Sequence, residues 1–227
     1  LGARISNAGT PVVFMGINHN PRLYFSGVIP ENVIGILERH LIVPLIRHFT
    51  GFVPMKNKRV LILFDESKTS DAVIEVSLYG KDTLKVSDVT VDIQKHALAD
   101  DYINAAIDAS KNYDFILLDT FYTLKTGTGE LVKGNEILSA INRSSKIPMF
   151  GVTDYAVGDN AAVGAMAMSM EKHGADAAEL TEGILESGDF RSHYHSTKSD
   201  IFVFNKTMLN RYKLTLPPEL IDQVIYR

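Results

Sequence analysis

Four short apolar runs in the chain each stop at a cluster of polar residues, and helical spacing follows. The runs cover residues 12–17, 60–64, 115–118 and 149–152. Uninterrupted apolar runs of this length, rich in β-branched residues, are typical of strands buried on both faces of a parallel sheet. Because strands and helices alternate, the pattern predicts an α/β fold with right-handed crossovers and helices flanking parallel sheets.

Further elements fill the segments between these runs. An alternating pattern predicts a more exposed strand over 86–93, and another apolar run predicts a strand over 201–204. Residues 1–9 read as the last turn of a helix that stops at Gly9. Helical spacing is found over 41–49, 71–79, 99–110, 136–142, 170–186 and a short segment from Pro217. The stretch 51–58 looks like a connector, so two α/β units are predicted.

Composition removes several classes of function. The chain of 227 residues has no cysteine, which excludes disulfides, Cys-ligated zinc and thiol catalysis. Its net charge of −4 comes with scattered lysines and arginines, so no basic stripe indicates a nucleic-acid partner. No apolar stretch reaches the roughly 18 residues that a membrane span requires, so direct membrane insertion is not expected. We expect no metal and no cofactor.

The polar clusters after the strands are the candidate site, because ligands of open α/β sheets bind at the carboxyl ends of the strands. The candidate ligand-binding residues are Asn18, Asn20, Asp65, Glu66, Ser67, Thr69, Ser70, Thr120, Tyr122, Asp154 and Tyr155.

Each candidate has a chemical reason and an ordinary structural alternative. Hydroxyls at a helix start, as at Ser67, Thr69 and Ser70, suit a carboxylate or another anion, but such residues also cap helices. Asn18 and Asn20 offer donors and acceptors to a zwitterion, and asparagine beside Pro21 is equally good loop chemistry.

Aromatic side chains lie in two of the clusters. Tyr122 and Tyr155 bring a flat apolar face with a hydroxyl, the usual lining of a small-molecule cleft. Packing at the edge of a unit would explain both tyrosines equally well.

An enzyme is the alternative from a different class. Asp65 follows a strand, which is where aspartyl-phosphate phosphatases place their nucleophile. Those enzymes resemble Asp-x-Asp, whereas position 67 is serine, and no second acid is spaced to act as the acid/base. The sequence therefore favours a protein that is not an enzyme.

Six segments, in order, resemble one protein family. They are Pro11–Asn18, Asn32–Leu37, Lys58–Asp65, Ile147–Asp154, Gly174–Glu179 and Leu214–Leu220. Together they are similar to the substrate-binding proteins of ABC transporters with the type I periplasmic-binding fold, of the kind that take up amino acids such as tryptophan. The resemblance implies a two-lobed α/β fold that closes on a small solute in an interlobe cleft outside the cytoplasm. In this family Asp154 matches a strand-end acid, which would meet a ligand ammonium group.

The resemblance also predicts how the lobes divide the chain. Residues 1–51 and 160–190 would form lobe one, and residues 56–158 and 199–227 lobe two. Hinge crossings are expected near 52–58, 157–161 and 190–199. The family has more residues before the segment that starts here, so the amino-terminal lobe is expected to be incomplete in this chain.

Two outputs stay open at this stage. The partner of the solute-binding domain would be an ABC permease or, alternatively, a fused cytoplasmic signalling module. The segments 121–125 and 221–227 look more like the version of the domain found outside the membrane in histidine kinases and cyclase-type receptors. A membrane span after Arg227 would favour the sensor, and a lipid-anchored or cleavable leader before residue 1 would favour the transporter.

Overall fold

The computed structural model describes residues 9–188, 190, 195–196 and 200–227. The predicted helical turn before Gly9 lies outside the described residues, as does most of the predicted crossing at 190–199.

The described residues form strands and helices in alternation, as predicted. The strands are β1 Val12–Ile17, β2 Val33–Leu37, β3 Arg59–Asp65, β4 Thr83–Val86, β5 Val89–His96, β6 Phe115–Leu118, β7 Met149–Gly151, β8 Gly164–Met168, β9 His195–Ser196, β10 Asp200–Phe204 and β11 Val224–Tyr226. The α-helices are α1 Ile42–Thr50, α2 Lys68–Ser77, α3 Ala99–Asp108, α4 Gly134–Ser144, α5 Met170–Ser187, α6 Lys206–Tyr212 and α7 Pro218–Ile221. Short 3-10 turns cover Pro21–Phe25, Ala109–Lys111 and Asp154–Ala156.

The chain divides into two compact units. The smaller unit comprises Leu1–Arg39 and Met168–Asp200, and the larger unit comprises His40–Ala167 and Ile201–Arg227. The first boundary between these compact units follows Arg39. The reason is helix α1, whose buried face (Ile42, Leu45, Ile46 and Phe49) packs in the core of the larger unit. The division into functional lobes stays a prediction.

The larger unit is built on an eight-stranded sheet in the order β11-β10-β8-β7-β6-β3-β5-β4. Strand β3 is parallel to both β5 and β6, and the parallel pairing continues from β6 to β7 and from β7 to β8. The sheet is thus mostly parallel and flanked by helices, as the apolar runs predicted. Strand β4 is antiparallel to β5, so the single strand predicted over 86–93 is a hairpin instead.

The core of the larger unit has a large cluster of buried side chains on each face of the sheet, and a small third cluster of Val157, Ala165 and Val203. An aromatic group dominates the first, with the rings of Phe49 and Phe150 4.1 Å apart between centroids. The second lies under α3 and α4 and includes Tyr102, Phe121 and Ile137. Alternate residues of β3 enter the two clusters, as expected for a strand covered on both sides.

The smaller unit contains the three-stranded sheet β1-β2-β9, with both pairings parallel. Helix α5 contacts β1 and β2. Its buried His173 accepts a hydrogen bond at Nε2 from the backbone N–H of Gly16, at 3.1 Å. Gly16 lies at an irregularity in the pairing of β1 and has a positive φ of 72°, a conformation that favours glycine.

Candidate functional site

Parallel pairing brings three of the four polar clusters to one edge of the larger unit. Asp65 ends β3, Thr120 follows β6, and Thr153 follows β7, all at the carboxyl ends of neighbouring strands. The backbone N–H of Asp65 donates to the carbonyl of Thr120 at 3.0 Å, which joins two of these clusters directly. The fourth cluster, with Asn18, follows β1 in the smaller unit.

Asp65 is the centre of a hydrogen-bonded network. Its carboxylate is buried, with the residue 1% exposed. Oδ1 accepts from the hydroxyl of Ser70 at 2.8 Å, and Oδ2 accepts from the backbone N–H groups of Tyr122 and Thr123 at 2.8 and 2.9 Å. Burial raises the pKa of Asp65, but hydrogen bonds from Ser67, from the N–H of Thr123 and from Ser70 outweigh it and leave this pKa lowered. The carboxylate is ionised and holds the loop after β6 in place.

Hydroxyl groups extend this network at the start of α2. Ser70 Oγ lies 2.6 Å from Thr120 Oγ1 and 2.9 Å from Ser67 Oγ. Ser70 has one hydroxyl proton and gives it to Asp65, so Thr120 is the donor to Ser70. Ser67 is the N-cap of α2 and accepts from the N–H of Ser70. The helix thus begins at Lys68, earlier than the predicted start at 71, and Ser67 caps it.

Two candidates of the same cluster lie outside this network. Glu66 and Thr69 are exposed to solvent. The backbone N–H of Glu66 donates to the carbonyl of His96 at 3.0 Å, which fixes the main chain at the strand end. Both side chains therefore lie on the surface of the larger unit.

A second buried acid, Asp119, lies beside the first at the end of β6. Its carboxylate accepts from Nδ1 of His40, 2.9 Å from Oδ1 and 3.1 Å from Oδ2. The Asp119 side chain is fully buried and the His40 side chain is 12% exposed. Sequence reasoning missed this pair, because 79 positions separate the partners, although Asp119 belongs to the polar cluster after residues 115–118.

The two candidate tyrosines do come together. The rings of Tyr122 and Tyr155 lie 5.4 Å apart between centroids, and their hydroxyls are in contact. The residues are 40% and 52% exposed, whereas Phe121 behind them is buried and lies 4.5 Å from the Tyr122 ring. This tyrosine pair presents an aromatic surface to solvent on a fixed base.

Asp154 already has a cationic partner within the larger unit. The guanidinium of Arg227 makes an ion pair with the Asp154 carboxylate and also donates to its backbone carbonyl at 2.7 Å. The Arg227 N–H and carbonyl are bonded in turn to Phe204 and Asn205. A ligand ammonium at Asp154 would therefore compete with Arg227.

The asparagines of the smaller unit have different roles. Oδ1 of Asn20 accepts from the N–H of Arg22 at 3.1 Å and so caps the turn Pro21–Phe25. The backbone carbonyl of Asn18 accepts from Nη1 of Arg39 at 2.9 Å. Burial lowers the pKa of Arg39, whose Nη1 also donates to the carbonyls of Ile17 and Glu38. Oδ1 of Asn18 is buried and has no hydrogen-bond partner in the protein.

The same buried and unpartnered state is found at Thr153, which was not among the candidates. Its Oγ1 is the other such side-chain atom within the part of the chain that the structure describes. Thr153 precedes the turn Asp154–Ala156 but makes no side-chain capping bond. Its place in the polar cluster that follows β7 was the signal that could have identified it.

The described residues contain no group of three acidic, histidine or cysteine side chains placed to hold a metal ion. Both carboxylate oxygens of Asp65, the nucleophile of the phosphatase alternative, accept hydrogen bonds in a buried position. Within the same residues, no helix has the length and apolarity to cross a membrane.

Comparison with solved structures finds chains with a similar fold. A conserved domain protein from Vibrio cholerae O1 biovar El Tor has a TM-score of 0.64 at 15% identity, over 95% of this chain and 71% of that one. An ABC domain from Streptococcus pneumoniae in complex with L-Trp has the same score and identity, over 95% and 73%. A ligand-free, open substrate-binding protein with adhesive properties from Clostridium difficile scores 0.67 at 13% identity, over 99% and 74%.

The predicted fold is confirmed. At these identities the likeness describes the fold alone, and the binding roles of the similar proteins belong to them. No protein-family model matches the sequence, and no curated protein matches it either.

Proposed function

We propose that this protein binds a small solute outside the cytoplasm, and that the solute contacts the strand-end edge of the larger unit at Tyr122 and Tyr155. The solute we favour is an amino acid or a similar small metabolite. The protein would act by binding and release, without chemical turnover. Two solved structures with a similar fold support this proposal, an ABC domain in complex with L-Trp and a substrate-binding protein.

The observation that carries the proposal is the tyrosine pair on its buried support. Aromatic rings half exposed at the carboxyl ends of parallel strands can cover an apolar or planar part of a ligand. The network of Asp65, Ser70 and Thr120 fixes the backbone of Tyr122, so this residue is held in place before a ligand arrives. A preorganised surface loses less conformational entropy on binding.

The charged side chains at this edge limit which part of a solute can contact the tyrosine pair. Asp65 is held by three hydrogen-bond donors, Asp119 by His40, and Asp154 by Arg227. Because these acids already have partners, the part of the solute that meets the tyrosine pair is best uncharged. A zwitterionic solute would place its charged end against other groups, and Asn18 of the smaller unit stays a predicted contact.

Two outputs are compatible with such binding. We favour delivery of the solute to an ABC permease, as the segments that resemble transporter proteins imply. Ligand sensing through a fused cytoplasmic kinase or cyclase module is the second candidate, supported by the segments 121–125 and 221–227. Closure of two lobes on the solute would serve either output.

A ligand screen tests the proposal. The purified protein is heated with the standard L-amino acids, nucleosides and monosaccharides in turn, and the unfolding temperature is recorded. A compound that binds only the folded state raises this temperature, and the rise grows with concentration. We expect such a rise with one chemical class. If no compound in the panel changes the unfolding temperature, the proposed binding of small metabolites is wrong.

A phosphatase assay addresses the alternative of a different class. Hydrolysis of p-nitrophenyl phosphate is measured for the wild type and for Asp65→Asn. We expect no hydrolysis by either protein. Turnover that is present in the wild type and abolished by this substitution would replace the binding proposal with an enzymatic one.

A further inference from the structure

Thr153 occupies an unusual position for a threonine. Buried polar atoms in native proteins nearly always have hydrogen-bond partners, so each exception needs a physical reason. Among the described residues, the exceptions in side chains are Oγ1 of Thr153 and Oδ1 of Asn18. Each atom lies just past the carboxyl end of a parallel strand, β7 for Thr153 and β1 for Asn18.

Local structure gives no reason for a hydroxyl at position 153. A threonine before a helical turn ordinarily caps it, but this side chain makes no capping bond to the turn Asp154–Ala156. The N–H of Ala156 is bonded instead to the backbone carbonyl of Thr153, at 3.2 Å. Valine has the same shape and would remove the unsatisfied hydroxyl.

A neighbouring threonine shows the contrast. Thr120 follows β6, the strand next to β7, and its Oγ1 is bonded to Ser70 Oγ and to the N–H of Asp65. Thr120 therefore has a structural role that its hydrogen bonds explain. Thr153 has the same side chain at the next strand end without any such bond.

Resting on the proposed function, we infer that Thr153 is a solute-contacting residue whose hydroxyl makes its hydrogen bond to a polar group of the bound solute. Tyr155, two residues further along the chain, belongs to the tyrosine pair. The Thr153 hydroxyl would therefore bond to a polar group of the solute that adjoins the part covered by the two rings. Thr153 as a whole is partly exposed, and rotation about χ1 moves the hydroxyl relative to the methyl group.

The test uses Thr153→Val with Thr120→Val as the matched control. In the ligand-free protein we expect Thr153→Val to unfold at the wild-type temperature or above it, because no protein hydrogen bond is lost. Thr120→Val should unfold at a lower temperature. If Thr153→Val is destabilised as much as Thr120→Val, its hydroxyl has a partner in the free protein and the inference is wrong.

Binding provides the second measurement. With the panel compound that most stabilises the wild type, titration calorimetry should give about tenfold weaker binding for Thr153→Val, the loss of roughly one hydrogen bond. Unchanged affinity in Thr153→Val overturns the inference and leaves the proposed function standing. A wild type that binds no panel compound overturns the proposed function, whereas the unfolding temperatures still decide whether the hydroxyl has a partner.

Discussion

The hydroxyl of Ser70 donates a 2.8 Å hydrogen bond to Oδ1 of Asp65, and both residues are almost completely buried. This bond links the start of α2 to the end of β3. The other oxygen of Asp65 holds the N–H groups of Tyr122 and Thr123. One carboxylate thereby joins three segments of the strand-end edge.

Asp65→Asn should destabilise the protein without unfolding it. An amide has one acceptor oxygen in place of two, so the N–H groups of Tyr122 and Thr123 or the hydroxyl of Ser70 lose a partner. We expect a loss of about 2–3 kcal/mol in the free energy of unfolding, the range for hydrogen bonds to a charged group. Urea denaturation of the wild type and the variant at neutral pH measures it. A loss below about 0.5 kcal/mol would show that the network contributes little.

Asp65 also predicts a dependence of stability on pH. Burial raises the pKa of Asp65, whereas the hydrogen bonds from Ser67, Thr123 and Ser70 lower it by more. The pKa in the folded state is therefore lower than in the unfolded state. A depressed pKa contributes stability that is fully present above the unfolded value of about 3.9 and is lost as the pH falls through the folded value. The wild type should therefore lose its advantage over Asp65→Asn below about pH 4. A constant difference from pH 7 to pH 3 in urea midpoints would contradict this account.

We expect Asp114 to stabilise the fold at a position away from the candidate site. Its buried carboxylate accepts from the backbone N–H groups of Lys56, Asn57 and Arg59, at 2.9 to 3.2 Å, and so closes the loop before β3. Asp114→Ala leaves these groups without their acceptor and should cost about 2–3 kcal/mol. Asp108→Ala is the control, because Asp108 forms only an exposed pair with Lys111 and should change stability by less than about 0.5 kcal/mol. Equal costs in the two variants would show that the loop does not depend on Asp114.

Two glycines should respond to alanine in opposite ways. A Cβ added at Gly164 would lie 2.2 Å from Cδ1 of Phe204, which is fully buried, whereas a Cβ at Gly174 in α5 meets nothing within 4 Å. Gly164→Ala should therefore lose about 1–3 kcal/mol through overpacking. Gly174→Ala should gain up to about 1 kcal/mol from helix propensity. Thermal unfolding of both variants checks this, and a stabilised Gly164→Ala would mean that the sheet packs differently there.

Much of the fold was predictable because it depends on local patterns. The apolar runs identified β1, β3, β6 and β7, and the helical spacing over 170–186 identified α5, which ends where Gly188 adopts a left-handed φ of 65°. The hairpin of β4 and β5 was missed although two consecutive polar residues, Ser87 and Asp88, interrupt the alternation there, and Ser87 has a positive φ. Helix α6 was missed although Asn205 caps it, because seven residues carry too few turns for a clear period.

The candidate site was predictable only in part. Sequence identified the strand ends and the tyrosines, which the fold brings together. It could not give the partners of the charged groups, because His40 and Asp119, like Asp154 and Arg227, are far apart in the chain. Thr153 was not predicted for a different reason, because only the three-dimensional structure shows that its buried hydroxyl has no hydrogen-bond partner.

The central claim is that a small solute binds over the tyrosine pair, and titration calorimetry of tyrosine variants tests it most directly. The titrant is the panel compound that most stabilises the wild type, and the variants are Tyr122→Ala and Tyr155→Ala. Tyr79→Ala is the control, since Tyr79 is 75% exposed and follows the carboxyl end of α2, about 15 Å along the helix from the strand ends.

We predict about tenfold weaker binding for each of the first two variants, because each loses an aromatic contact with the solute, and wild-type affinity for the control. Wild-type affinity in both Tyr122→Ala and Tyr155→Ala would contradict the claim.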